Sequence, residues 1–287
     1  MDTDPSTIST SLLTRPIPIL LGATQNEGLE SAARLYLANQ AAFTSPESLK
    51  TEVLPRLLTS FLGRWRGKQT ALVEAVHRQY LTELNTGDVT GMLTAVGEMI
   101  GDLSVHSCMR ETMVLHREFS SNPLYAFIFS HSGGERQARL SRDIGRVMGL
   151  LDTESGTSQY GLGQPPLRQR SGPVWRGDDL LYLFDLEDQA RQSASMMRTE
   201  DRLISQNLTH IWATFAARGY PVFSEGLLQS QGQQLQLQSG EWPAQEARGA
   251  LLYYNISVRH SGLFQDFRKP VSHNCPSTGF NWISTVV

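Results

Sequence analysis

The sequence predicts an α/β protein built on part of a doubly wound, mostly parallel sheet with helices on its faces. Three observations carry that expectation. Two strongly apolar runs, "PIPILLGAT" (Pro16 to Thr24) and "PLYAFIFSH" (Pro123 to His131), have the continuous hydrophobicity of strands buried on both faces. The segment between them, 25 to 122, is dominated by helical spacing. A third apolar run, "ALLYYNIS" (Ala250 to Ser257), reads as another strand. Strands separated by helices build parallel sheets, but two or three of them leave an open edge, so the chain reads as half of a larger sheet.

Each element has its own signal. The first run ends in a Gly turn, and "NEGLESAARLYLA" then opens a helix with Glu27 near its start. From Ser45 to Phe61, "SPESL" supplies a Ser cap, a Pro in the first turn and an acid. Helical spacing resumes over 69–85, 89–100 and 108–120. Beyond the second strand the composition shifts to Gly, Gln, Arg and Ser, so about 132–172 reads as a flexible insert. A helix from about Glu200 to Arg218 is closed by Gly219, with Pro221 beyond it. The Gln-rich insert at about 227–240 reads as a polar hairpin or an unstructured stretch, and "GLFQDFRKPV" as a final amphipathic segment. Residues 1–15 read as a disordered N-terminus and 16–287 as one unit.

Composition narrows the function classes. A chain of 287 residues, 40% of them hydrophobic, can bury a substantial core. Its 25 basic and 28 acidic side chains give a net charge of -3 without a long block of either sign, which argues against a nucleic-acid partner. No run approaches the roughly 18 apolar residues of a membrane helix, and the acidic opening "MDTDPSTIST" is not a secretory signal. The histidines form no H-x-x-x-H pair, so neither a metal nor another cofactor is expected. Cys108 and Cys275 form no CxxC motif, and their number alone allows two buried thiols or one disulfide. Asn207 in "NLT" and Asn255 in "NIS" are candidate glycosylation sites that point toward the secretory pathway. The adjacent Asp178 and Asp179 read as caps of the helix that follows, and Trp212 and Trp282 as core anchors.

Four motifs stand in a telling order: "ILLGATQNEG", "PLYAFIFSH", "GPVWRGDDLLYLF" and "THIWATFAARGYP". That order resembles the C-terminal half of the type-B carboxylesterase/cholinesterase family of α/β-hydrolases, over roughly residues 17 to 282. The resemblance implies a partial α/β-hydrolase fold. It also implies that Cys108 and Cys275 form a long-range disulfide, which would contribute roughly 4–5 kcal/mol through chain entropy.

In the family's active members a Ser on a G-x-S-x-G elbow is deprotonated by a loop His that an acid orients. Here Glu27 matches the acid, Arg176 stands at the His position in "VWRGDD", and no G-x-S-x-G occurs. A guanidinium stays protonated and cannot accept a proton from Ser. Glu27 and Arg176 are therefore expected to be vestigial triad positions joined by a salt bridge, and His131 to be structural. The resemblance then implies a non-catalytic member acting through protein–protein binding, as in the adhesion proteins neuroligin, neurotactin, gliotactin and glutactin, at the cell surface or outside the cell. The partner is unidentified, and homodimerisation is a further implication of the family. The alternative is a carboxylic-ester hydrolase acting on a small ester, its Ser-bearing half missing from this chain.

Overall fold

A computed structural model describes residues 17–62, 69–132, 147, 173–184, 199–223, 227–230, 233–236, 242–258 and 261–267. The expected N-terminal disorder, nearly all of the 132–172 insert, Cys275 and Trp282 lie outside these residues.

The expected alternation of strands and helices is present. Strand β1 (Ile19–Thr24) leads into α1 (Leu29–Ala38). A short helical start at Pro46–Ser48, capped by Ser45 Oγ accepting from the Ser48 N–H at 3.1 Å, runs through a π turn into α2 (Leu54–Leu62). Helices α3 (Gln69–Tyr80) and α4 (Val89–Gly101) follow. A second π turn, Asp102–His106, carries α4 into α5 (Ser107–Phe119). Then come β2 (Leu124–Phe129), the short α6 (Leu180–Leu183) and α7 (Thr199–Arg218). The Gln-rich insert pairs as an antiparallel hairpin, β3 (Leu227–Ser230) with β4 (Gln233–Gln236). The chain returns through β5 (Leu252–Ile256) and β6 (Gly262–Gln265).

The main sheet has the order β1-β2-β5-β6. The first three strands are parallel, and β6 pairs antiparallel to β5. Because side chains alternate across a strand, β2 serves two cores at once. Tyr125, Phe127 and Phe129 join Leu203, Ile204, Leu208 and Ile211 of α7 on one face. Leu124, Ala126 and Ile128 pack with Met109 and Met113 of α5 on the other. A third core, with Leu29, Leu54, Val76, Met92 and Val96, holds α1 to α4 together. The result is a three-layer α/β arrangement with a mixed sheet of four strands.

The expected final amphipathic segment takes the form of a strand at its start. "GLFQ" of the final amphipathic stretch is a strand, because Tyr253 and Tyr254 of β5 pair with Phe264 and Leu263. The stacked rings of Tyr253 and Phe264, 5.6 Å apart, favour that pairing over a helix.

Helix α1 approaches α4 so closely that only glycine fits at their contact. A Cβ on Gly28 would lie 2.2 Å from the Gly97 carbonyl oxygen and 2.4 Å from the Gly101 nitrogen. Both obstacles are backbone, so the helices must separate to admit a methyl group. Gly28→Ala is expected to destabilise the chain by about 1–3 kcal/mol, read as a lowered denaturation midpoint. An unchanged midpoint would mean that this contact is not close-packed.

Candidate functional site

The residues singled out by the sequence meet at the carboxyl end of β1. There the chain turns through Gln25, Asn26 and Glu27 before α1, and the loop Val174–Trp175–Arg176 lies alongside. Asn26 N–H donates to the Val174 carbonyl at 2.8 Å, and Val174 N–H returns a bond to Asn26 Oδ1 at 3.0 Å. Asn26 and Trp175 thus form an isolated parallel bridge. Two segments about 150 residues apart in sequence are locked side by side, as the triad resemblance requires of an acid turn and a base loop.

Within that frame Glu27 does not reach for Arg176. Its Oε1 accepts from the Thr24 backbone N–H at 2.7 Å and from Thr24 Oγ1 at 3.0 Å, closing the end of the strand on itself. Arg176 is exposed, and no ion pair within 4.0 Å joins it to Glu27. The expected salt bridge is therefore not formed. The cause is local: Thr24 N–H would otherwise lack an acceptor beside a nearly buried residue. Gly177, at φ 83°, turns the loop immediately after Arg176.

The two aspartates also behave differently from the expected caps. Asp178, 8% exposed, turns back to accept from the Trp175 N–H at 2.9 Å. Asp179 occupies the N-cap position of α6, but its side chain makes no capping bond. Its carboxyl pKa is pushed up, first by burial and further by the nearby Glu27 carboxylate. Glu27 of the acid turn and Asp179 of the loop therefore lie close enough for their charges to be felt by one another.

Two buried His–Asp pairs flank the turn, and sequence reading missed both partners. His106 Nε2 donates to the Thr24 carbonyl at 3.1 Å, while Nδ1 faces Asp102 Oδ1 at 3.0 Å. Tyr80 Oη donates to the other Asp102 oxygen at 3.0 Å. Thr24 is thus held on its N–H by Glu27 and on its carbonyl by His106. The signal was the Asp102–His106 spacing of four, one helical turn, which a search for His pairs passes over. His131, the expected structural histidine, bonds Asp201 Oδ1 at 2.9 Å and packs edge-on against Tyr182 at 5.4 Å. His106 and His131 are both 4% exposed, and their bonded ring nitrogens are engaged with buried partners rather than presented above the turn. Among the described residues, no three His, Cys, Asp or Glu side chains converge on a metal position.

The candidate modification sites fare unevenly. Asn207 is 1% exposed, and its amide nitrogen, the atom a glycan would occupy, donates to the Leu203 carbonyl at 3.0 Å. Asn255 lies in β5 between β2 and β6, accepting from Ser130 Oγ at 2.6 Å. Asn207 is thus buried in the folded chain, while Asn255 is half-buried. Cys108 is half-buried on α5. Trp212, an expected anchor, packs edge-on against Phe127 at 5.1 Å. A cavity of about 470 Å³ opens near the strand ends, with Gln25, Ser130 and Asn255 facing Phe264 and Phe267. No helix of the described residues is long and apolar enough to cross a membrane.

Comparison with known proteins agrees with this geometry. No curated protein matches the chain. The family model described as "Carboxylesterase family" matches residues 1–266. The four-stranded mixed sheet flanked by helices is a partial α/β-hydrolase fold of that kind. With the acid turn bridged to the loop that follows it in the family's motif order, the chain belongs to the carboxylesterase family.

Proposed function

We propose that this chain is a non-catalytic, cholinesterase-like domain that works through protein–protein binding, of the cell-adhesion or extracellular-matrix type. The observation that carries the reading is the state of the triad positions: Arg176 is exposed where a base is needed, and Glu27 is occupied by Thr24. Proton abstraction from a serine needs a neutral acceptor poised near working pH. A guanidinium supplies none, and His106 and His131 are engaged elsewhere. The adhesion members of the family offer the class of activity that remains when hydrolysis is lost, and the partner is another protein at the cell surface.

Hydrolysis of p-nitrophenyl acetate tests the catalytic half of the reading. The purified chain is expected to give no rate above buffer between pH 6 and 9. A saturable, protein-dependent rate would contradict it and favour an ester hydrolase.

The extracellular placement rests on Cys108 pairing with Cys275. Peptide mapping under non-reducing conditions, on protein from its natural source, is expected to recover the two cysteines in one linked fragment. Two separately alkylated thiols would overturn that placement.

A further inference from the structure

The Gln-rich hairpin carries the next inference. Residues 227–240, "LLQSQGQQLQLQSG", contain no charged residue, no proline and no aromatic ring. Within them β3 and β4 pair antiparallel, with Leu228 opposite Leu235 and Gln229 opposite Gln234. The hairpin is a sheet of its own: among the described residues, neither strand pairs with the main sheet β1-β2-β5-β6.

A two-stranded sheet has two edges, each a row of backbone N–H and C=O groups open to a further strand. A hairpin standing alone in water is marginal, and added strands are what stabilise it. Folded proteins protect such edges with Lys, Pro, bulges or inward-pointing charges. Residues 227–240 carry neither Lys nor Pro. The register also runs without a bulge, from Leu227 opposite Gln236 to Ser230 opposite Gln233. The edges are therefore unguarded.

Composition selects the strand that fits them. A charged strand finds no counter-charge in residues 227–240. A Gln amide carries both donors and an acceptor, so Gln matches Gln. A second copy of the hairpin brings the same length, no charge to repel, and the Gln-against-Gln match seen where identical strands stack. We propose that two copies of this chain associate edge to edge through this hairpin, their two-stranded sheets joining into one of four strands. The hairpin contains neither triad position, so the inference goes beyond the reading of Glu27 and Arg176 and holds whether or not the chain hydrolyses esters.

The test is sedimentation velocity on the full chain over a range of concentrations. The mass is expected to rise with concentration from that of one chain, 32.0 kDa, toward twice that value. Gln234→Lys and Gln234→Glu each set like charges against one another in the joined sheet, and each alone is expected to weaken association by at least about tenfold. Mixed in equal amounts, the two variants present opposite charges and are expected to recover it. Both are expected to keep the wild-type melting temperature, because the hairpin shares no strand pairing with the main sheet. If either fails to fold, the same two substitutions at Gln229, its register partner, take their place. A single-chain mass at every concentration overturns the proposal, as does an oligomer that both variants retain or that their mixture does not restore.

Discussion

The site depends on one residue having both of its backbone groups claimed by side chains. Thr24 is the last residue of β1, and its partner in register, Phe129, is fully buried in the sheet. Its N–H goes to Glu27 and its carbonyl to His106. A buried backbone group left unpaired would cost about 1–3 kcal/mol, so these two side chains are fixed by the strand before any ligand is considered. Through them the strand end is tied forward to the acid turn and across to the π turn that joins α4 and α5.

The same constraint separates the two triad positions. A carboxylate serving a catalytic imidazole must point at the base loop. Here the backbone of that loop is close, bridged through Asn26 to Val174 and Trp175, while the Glu27 carboxylate turns back to Thr24. An arginine at the base position then has no buried partner to satisfy, and solvent is its lowest-cost surroundings. The fold keeps the scaffold of an acid–base pair, and the side chains on it perform a structural task. Under the function proposed above, that is how a family built around hydrolysis can hold a member whose role lies on its surface.

Much of the fold was legible because its signals are redundant. "LYAFIF" is apolar on both faces and cannot sit anywhere but between two layers, and all six residues are buried. The Ser45 cap and the Gly219 stop are local chemistry that tertiary packing does not override. The strand β6 was not legible: Leu263, Phe264 and Phe267 fit a helical face as well as an edge strand, and pairing with β5 decides between them. The site was half legible. Motif order located Glu27 and Arg176, but the direction of each side chain depends on which backbone group lacks a partner, and sequence does not show that. The Asp102–His106 and His131–Asp201 pairs were missed for a related reason, since a buried polar pair looks the same in sequence as a solvated one.

Double-mutant cycles on folding stability test the central claim most directly. Thr24→Val with Glu27→Gln removes the hydroxyl bond and the carboxylate charge, while Arg176→Gln with Glu27→Gln probes the ion pair that the family pattern would have suggested. The account predicts a coupling of about 0.5–1.5 kcal/mol between Thr24 and Glu27, and none beyond error between Arg176 and Glu27. The reverse, with strong coupling to Arg176 and none to Thr24, would mean that Glu27 serves the loop after all.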